Sequence, residues 1–472
     1  MAFAAERVAV VRRRLARHYL DELQAASSAF RGGRDHQAYG LALFDREWPQ
    51  IKHWQAWLAQ NSVRDADTAR LCARYPPAGA DLLALRQTPQ ERTAWLEAGR
   101  QAARSIGDRR TEVACLFLLA WALHKQASIE AAEATGREAL ALAEAIDDRL
   151  TAGRSLHLLG DIAVRRGRFD EAERLHLRSR DLLRAVGAQA HLPDVYFSLS
   201  ELAYLQGDFS GARDYAWQSH TLLEVLGLSP TTNNNLTWLG VTLYETGDLA
   251  AAERYVRQSV ELCRATGAQS TLAHGLYVLS GVARLKGDDA QAQAAILESL
   301  QIAQSIGEEW LIPYILIQRS KLLCQAGELG AALRDIDQVV EMVRQTGYRL
   351  ALSTALIQRA DVQWALGDME QASAALHEGL DIATSTQFTI DLVDGVLIAA
   401  RLWRGRGQAR QAAEWVGLLL SRRGAGILVR QGAAALGQEL EAELGPAEFA
   451  GAFERGRSLT LDKAVAHVSA TL

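Results

Sequence analysis

Apolar residues recur at intervals of three and four along most of the chain, a pattern that predicts amphipathic helices. Glycines interrupt this pattern every 40 residues, as from Gly207 to Gly247. A second series of turn residues lies halfway between them. Because glycine suits the left-handed position just past a helix end, each unit is predicted to contain two helices joined by a short turn. The first series is Gly167, Gly207, Gly247, Gly287, Gly327, Gly367 and Gly407; the second is Gly107, Asp147, Gly187, Gly227, Gly267, Gly307, Gly347 and Gln387.

Two further columns follow the same period. The residue five positions after each first-series turn position is alanine in every unit from Ala132 to Ala412. The residue seven positions before the same turn position is always small. Small side chains allow two helix axes to approach closely, so these columns are predicted to lie where the helices of a unit meet. The small column consists of Ala120, Gly160, Ser200, Gly240, Ser280, Ser320, Ala360 and Ala400.

A fixed period of this length predicts a solenoid of stacked helical hairpins. The fold class is therefore predicted to be all-α, a right-handed superhelix of about nine hairpins. Residues 1–66 are predicted to form a helical N-terminal cap, 67–427 the repeat array with its clearest units at 108–387, and 428–472 a C-terminal helical cap. The spacing of the small residue, the glycine and the alanine resembles the tetratricopeptide repeat (TPR) with longer helices. HEAT repeats have a comparable length, but their pattern fits these columns less well.

Composition narrows the class of protein. The formal net charge of −5 and the pI near 6.2 argue against a nucleic-acid-binding surface over the whole molecule. The sequence lacks an apolar stretch long enough to cross a membrane, so a cytoplasmic protein without membrane contact is expected. The four cysteines form no C-x-x-C pair and are expected to be reduced and buried.

Sequence motifs for enzymatic chemistry are missing. The chain has no G-x-x-x-x-G-K-[ST] loop, no H-E-x-x-H and no G-x-S-x-G, so no enzyme, cofactor or metal is predicted. His176, His220 and His377 are expected on exposed surfaces of second helices, without a metal role. The run Arg12–Arg14 is interpreted as a solvated helix face that adjoins a domain upstream.

The first helix of each unit is expected to line a concave groove, and polar and aromatic residues recur along it. Such a mixture suits a peptide, a small polar ligand or a partner protein. The alternative is that these residues are polar only because the groove is solvated. The predicted groove residues are Arg154, His157, Asp161, Phe197, Glu201, Tyr204, Asn234, Tyr244, His274, Tyr277, Arg284, Tyr314 and Lys321, together with Asp194, Thr237, Asp361, Trp364, Asp394, Arg401 and Arg404.

The chain also resembles a known family at its two ends. The C-terminal phrase LGPAEFAGAFERGRSLTLDKAVAHV is similar to the closing segment of the TPR sensor region in bacterial STAND-type signalling ATPases and LuxR-type (MalT-like) activators. The phrase FDREWPQIKHWQAWL resembles the junction that leads into such sensors. The residues that match the C-terminal phrase are Leu444, Gly445, Phe449, Gly456, Leu459, Ala464 and Val465.

This resemblance implies a non-enzymatic sensor that receives an inducer ligand or a partner protein and passes the event to an attached NTPase or effector. The chain would then be an isolated sensor region whose parent protein carries the NTPase domain upstream. Two other classes stay open: an architectural module that self-associates, and, less favoured, an enzyme that uses the groove.

Overall fold

The computed structural model describes residues 2–31, 34–126, 128–227, 232–422 and 424–471. Over these residues the chain forms 24 α-helices and one short 3-10 helix, Gln189–His191, and no β-strand. The fold is all-α and TPR-like, as predicted. Most repeat helices have 17 or 18 residues, so each spans about 26 Å.

The described residues divide into two compact units. Unit 1 comprises Met1–Leu199 and Thr221–Ser229, and unit 2 comprises Ser200–His220 and Pro230–Leu472. The helices wholly within unit 1 are α1 (Ala2–Arg31), α2 (Arg34–Asn61), α3 (Ala66–Ala78), α4 (Ala80–Arg86), α5 (Pro89–Ser105), α6 (Arg109–Lys125), α7 (Ile129–Ala145), α8 (Arg149–Arg165) and α9 (Phe169–Ala185).

Two helices contribute residues to both units, and the remainder belong to unit 2. The first two are α10 (Leu192–Leu205) and α11 (Phe209–Leu226). Those of unit 2 are α12 (Thr232–Thr246), α13 (Leu249–Thr266), α14 (Gln269–Leu285), α15 (Asp289–Ile306), α16 (Ile312–Gln325), α17 (Leu329–Thr346), α18 (Arg349–Ala365), α19 (Met369–Thr386), α20 (Thr389–Gly405), α21 (Ala409–Ser421), α22 (Ile427–Leu444), α23 (Pro446–Arg457) and α24 (Leu461–Thr471).

The turn residues adopt the conformation that the sequence pattern predicts. Gly267 ends α13 with a φ of 73°, and the other turn glycines of both series also have positive φ. The two residues that replace glycine, Asp147 and Gln387, keep the same left-handed conformation with φ of 54°. The backbone of the turn is therefore dictated by the helix packing, and the residue at this position adapts to it.

The alanine column is fully buried from Ala132 to Ala412, which places it at the contact between helices as predicted. In three units a serine of the small column lies directly against it. The hydroxyl of Ser280 donates a hydrogen bond of 2.8 Å to the carbonyl oxygen of Ala292, and Ser200 and Ser320 make the equivalent bonds. These bonds join the first helix of a unit to the second.

The N-terminal segment differs in two details from the sequence-based interpretation. Arg13 of the basic run is not simply solvated, because its guanidinium pairs with Asp65 at 3.0 Å beside the start of α3. The sequence also favours one helix from Asp67 to Leu85 at the start of the array, but this segment is divided at Gly79 into α3 and α4. The C-terminal segment forms α23 and α24, as the sequence indicated.

The predicted burial of the cysteines and the predicted exposure of three histidines agree with the structure only in part. Cys72, Cys115 and Cys263 are buried and Cys324 is partly buried, all without a disulfide. His377 is exposed as expected, but the prediction was wrong for the other two histidines. His176 and His220 are buried, because they lie on the side of their second helices that faces the helix core.

The start of α22 lies against the first hairpin of unit 2. A side chain on Gly424 would come within 2.7 Å of the carbonyl oxygen of Gly207, and one on Gly247 would touch Ile427 at 3.5 Å. Further along, α22 packs on α20 and α21. This helix therefore spans from the first to the last hairpin of unit 2. Within the described ranges, no helix is both long and apolar enough to cross a bilayer.

Candidate functional site

Unit 2 contains a cavity of about 500 Å³ that lies between α22 and the first helices of four hairpins. The first helices of the four hairpins form one wall of the cavity. Stacking of the hairpins positions this wall, because each first helix repeats the same inward-facing stripe of residues one period later. The opposite wall is the small and apolar face of α22. The cavity is lined by Arg284 of α14, Lys321, Cys324 and Gln325 of α16, Gln358, Asp361 and Trp364 of α18, Asp394, Leu397, Arg401 and Arg404 of α20, and Leu428, Val429, Gly432, Ala435, Leu436 and Glu439 of α22, among others.

Three buried hydrogen-bond donors without acceptors belong to residues that line this cavity. Arg284 is only 9% exposed, and its Nη1 donates to Gln325 at 3.3 Å. Its Nε and Nη2 are buried and donate to no described residue in good hydrogen-bonding geometry, although the Tyr244 hydroxyl lies beside the guanidinium; the Nε2 of Gln358 has no partner among the described residues. Buried donors without partners cost free energy. The arrangement is therefore suited to a ligand that supplies acceptor oxygens.

Charged groups face each other across the cavity without direct contact. The Lys321 ammonium and the Asp394 carboxylate make no hydrogen bond or ion pair with any residue that the structure describes. Burial raises the pKa of Asp394, and Lys321 lowers it. Burial likewise raises the pKa of Glu245 to about 7, with Asp394 acting in the same direction and Lys321 in the opposite one.

One end of the cavity is organised by an arginine over an indole. Arg401 pairs with Asp361, and its guanidinium lies 5.2 Å from the centre of the Trp364 ring. Arg404 pairs with Glu439 of α22 and with Glu443 at 3.1 Å. These ion pairs connect α18, α20 and α22, so this end of the cavity is closed by charge pairs rather than by apolar packing.

The tyrosines predicted for the groove lie near the other end. Tyr204 donates a hydrogen bond of 3.3 Å to Glu245 and packs edge-on against Trp238. Tyr244 and Tyr277 are half-buried, and burial raises the pKa of Tyr277 to about 12. Both tyrosines are therefore neutral hydroxyl donors. Arg284 was expected to be reachable from solvent beside them, but it is buried, with Gln325 and Tyr244 against its guanidinium.

Four other predicted residues of unit 2 are dispersed. Glu201 and Asn234 are exposed. His274 stacks on Tyr277 with ring centres 6.2 Å apart, and burial lowers its pKa to about 4. Tyr314 shares a hydrogen bond of 3.1 Å with the Tyr348 hydroxyl.

Thr237 was assigned to the groove, but it is fully buried and shares a hydrogen bond of 2.8 Å with Ser259 of α13. The residues equivalent to Thr237 in the other repeats lie between the groove surface and the contact between helices. A small side chain at this edge turns inward, whereas the larger Tyr277 of the same column is half-buried.

In unit 1 the predicted residues form a separate group. The Arg154 guanidinium lies 4.3 Å from the centre of the Phe117 ring, and Phe197 is half-buried. His157 and Asp161 are both half-buried and both contact the Ser198 hydroxyl at 2.9 Å.

Sequence reasoning missed Glu245, Gln358 and the whole α22 wall. Glu245 directly follows the predicted Tyr244, so a groove stripe drawn one residue wider would have included it. Gln358 directly follows the apolar pair Leu356 and Ile357 and is buried, which is unusual for an amide side chain. The α22 wall is outside the repeat and has no periodic pattern that would indicate it.

The cavity offers little that favours covalent chemistry. Cys324 is the one thiol among its lining residues, and burial raises the pKa of this thiol to about 11. A thiol with so high a pKa is protonated at neutral pH and is a poor nucleophile.

Comparisons with known proteins agree with the repeat assignment. A family model described as tetratricopeptide repeat matches residues 239–266. No curated protein matches the chain in sequence.

Several solved structures share the fold at low sequence identity. A Rap protein complexed with competence and sporulation factor is 15% identical, with a TM-score of 0.56 over 76% of this chain and 99% of that one. NprR in complex with its cognate peptide NprX is 13% identical, with a TM-score of 0.54 over 73% and 97%. Aspartyl phosphate phosphatase F from Bacillus subtilis is 10% identical, with a TM-score of 0.51 over 77% and 93%. At these identities the likeness shows the fold alone.

Proposed function

We propose that this chain is a non-enzymatic sensor that binds a short peptide or a small polar ligand in the cavity of unit 2. The observation that carries the proposal is the set of buried donors without acceptors, Arg284 and Gln358, beside the unpaired Lys321. A cavity of about 500 Å³ is within the usual range for ligand sites. The fold is shared with NprR, which was solved with a peptide.

The chemistry of the cavity defines the ligand. A carboxylate or a run of peptide carbonyls would accept hydrogen bonds from Arg284 and Gln358, and a carboxylate would also pair with Lys321. Asp394 and Glu245 provide acceptors for an amino group at the other side of the ligand. The Trp364 ring and the apolar face of α22 suit an aliphatic or aromatic side chain. A zwitterionic peptide satisfies all of these groups together.

The proposed mechanism uses α22 as the moving part. Because α22 forms one wall of the cavity and Arg404 binds it through Glu439 and Glu443, a ligand in the cavity would alter the position of α22. The C-terminal helices that follow would carry this change to an attached effector. In line with the resemblance at the two chain ends, we propose that the parent protein carries a STAND-type NTPase domain, and that it is cytoplasmic.

The decisive experiment compares two lysine variants. Lys321→Met removes the unpaired ammonium from the cavity, whereas Lys286→Met removes an exposed lysine that pairs with Glu253. A library of pentapeptides with free carboxyl termini is passed over each immobilised protein, and retained peptides are identified by mass spectrometry. We expect the wild type and Lys286→Met to retain the same peptides and Lys321→Met to lose them. Equal retention by all three proteins would contradict the proposed site.

A second candidate function is self-assembly, and one observation favours it. Along α1, Val8, Val11 and Leu15 are 48%, 55% and 41% exposed and are spaced three and four residues apart, which forms an apolar stripe. Light scattering over a range of concentrations tests this role. A stable oligomer that Val11→Glu dissociates would support assembly through α1, whereas a monomer at every concentration would exclude it.

A further inference from the structure

One repeat of unit 1 carries a histidine in its helix core. His176 of α9 lies nine positions after the turn glycine, and it is fully buried. The equivalent residue is apolar and fully buried in every repeat of unit 2: Ala216, Val256, Ile296, Ile336, Leu376 and Val416. An imidazole therefore replaces an aliphatic side chain at this single position, although neither of its ring nitrogens has a hydrogen-bond partner among the described residues.

The small column adapts to this imidazole. The residue of the column is Gly160 in this repeat, and a Cβ atom on it would overlap the ring, at 2.6 Å from Nδ1. Other repeats have serine here, with its hydroxyl bound to the neighbouring helix. The absence of a side chain at Gly160 is thus what makes room for the histidine. Gly240 likewise makes room for Val256 in a repeat of unit 2, so the glycine fits the column and the imidazole is the departure from the repeat at this contact.

Two further groups that bind metals lie beside His176. His157 and Asp161 are four residues apart on α8, so they share one face of that helix. The Nε2 atoms of His157 and His176 each lie 3.7 Å from the Oδ1 atom of Asp161. One ligand atom from each of the three residues lies within 4.8 Å of the other two.

We propose that His157, Asp161 and His176 form a zinc site in unit 1. Zinc prefers a tetrahedral set of nitrogen and oxygen ligands at about 2.0–2.1 Å, which places ligand atoms about 3.3 Å apart. The two distances of 3.7 Å approach this value, so small side-chain rotations bring the three atoms into position. Two histidines and one carboxylate leave the fourth position for water or a ligand.

The surroundings suit a cation that enters from solvent. His157 and Asp161 are half-buried rather than enclosed, and the carboxylate of Asp194 on α10 is close enough to act on both. His176 is fully buried and neither of its ring nitrogens has a hydrogen-bond partner among the described residues, so its Nε2 is available to a metal ion. Ser198 contacts both His157 and Asp161 at 2.9 Å, and zinc would take the place of its bond to His157 Nε2. Arg154 is a positive group close enough to act on Asp194.

The proposal is tested on the full chain after removal of metals with a chelator. Titration with ZnCl₂ by calorimetry should show one strong site per chain, and zinc should raise the melting temperature. His176→Leu copies the residue of another repeat, Leu376, and His157→Phe copies Phe117 and Phe197. Each variant should weaken zinc binding by at least about tenfold and abolish the rise in melting temperature.

The matched control is His377→Ala. His377 and Asp381 also form a histidine–aspartate pair four residues apart at 3.4 Å, but they are exposed, and the described residues provide no third ligand there. This variant should bind zinc like the wild type. If it loses as much affinity as His157→Phe, or if both site variants keep wild-type affinity, the zinc site is refuted and zinc binds only adventitiously at the surface.

A second readout separates binding from folding. CoCl₂ titrated into the metal-free chain should produce the visible absorption of tetrahedral cobalt, and Asp161→Asn should reduce it while keeping the hydrogen bond from Ser198. Melts without metal establish whether each variant is folded. If His176→Leu does not fold, His157→Phe decides the question, because its side chain is only half-buried.

Discussion

In unit 2, two positions of the repeat recur with the same period but differ in their chemistry. The position five residues after the turn is alanine in every repeat, and it is fully buried each time. The groove position three residues before that turn changes from repeat to repeat: Tyr204, Tyr244, Arg284, Cys324, Trp364 and Arg404. Only a side chain as small as alanine fits the first position, because two helix backbones meet there. The second lies on the groove side, and Arg284, Cys324, Trp364 and Arg404 line the cavity from it, so side chains of different size and charge fit there.

This comparison separates residues that build the solenoid from residues that act. Uniformity along a column indicates a packing constraint, and variety indicates either solvent or function. Buried hydrogen-bond donors without acceptors separate these two explanations, because donors in a merely solvated groove would be bonded to water. The buried nitrogens of Arg284 and Gln358 gain nothing from solvation, so a role in ligand binding explains them better than a solvated groove does.

The strongest test of the packing constraint is Ala252→Trp. Ala252 is fully buried between α12 and α13, and an indole there must force the helices apart. We expect a loss of roughly 3 kcal/mol in the free energy of unfolding. Urea denaturation followed by circular dichroism measures it. An unchanged midpoint would mean that the alanine column is not a helix contact.

Burial on the groove side is tested by comparing the stability of Glu245→Gln with that of the wild type at different pH values. Because burial raises the folded-state pKa of Glu245 from 4.5 to about 7, its ionisation destabilises the fold progressively as pH rises from about 4.5 to 7. The variant should match the wild type at pH 4.5 and be more stable by about 1–2 kcal/mol at pH 8. Denaturation at both pH values measures this.

The control for this experiment is Glu261→Gln, which alters an exposed glutamate on α13. Asp391, whose pKa burial also raises to about 7, is present in every protein compared, so it cancels from the difference. A Glu245→Gln variant whose stability stays parallel to that of the wild type from pH 4.5 to 8 would show that Glu245 is well solvated.

His176 is the exception to the uniform apolar packing of the repeats. Replacing it should change the free energy of unfolding less than Ala252→Trp does, and should stabilise the fold rather than destabilise it. In the metal-free chain, His176→Ile should raise the free energy of unfolding by about 1 kcal/mol, because it removes a buried imidazole without hydrogen bonds and restores the residue of Ile296 and Ile336. Thermal melts in the presence of a chelator measure it. Destabilisation instead would mean that the ring packs better in its pocket than an aliphatic side chain does.

The sequence was sufficient for the local and periodic features. Helices, turns and the alanine column follow from short-range patterns, and even Asp147 and Gln387 could be placed by period alone. The burial of His176 also follows from the register, since Val256, Ile296 and Ile336 occupy its column, whereas the polar side chain by itself favours a surface position.

The enclosed cavity could not be predicted in the same way. It exists because α22 packs against hairpins at both ends of unit 2, a long-range contact that leaves no mark on the repeat. Glu245, whose pKa is raised by burial, lies against the start of this helix, because a side chain on Gly426 would overlap its carboxylate. Some of the predicted groove residues, such as Arg284, Lys321 and Trp364, line the cavity, but nothing in the sequence indicates that α22 would cover it.

The smallest expected effect sets the baseline for all the others. Arg178 lies on the outer surface of α9, 61% exposed, and its guanidinium binds Glu144 of the preceding hairpin at 2.6 Å. Exposed ion pairs are screened by water and contribute little, so Arg178→Ala should change the free energy of unfolding by less than about 0.5 kcal/mol. Denaturation at low and at high salt measures the change. A larger loss that disappears in high salt would show that ion pairs between successive hairpins stabilise the solenoid, and the uniform interior would then not be the main source of its stability.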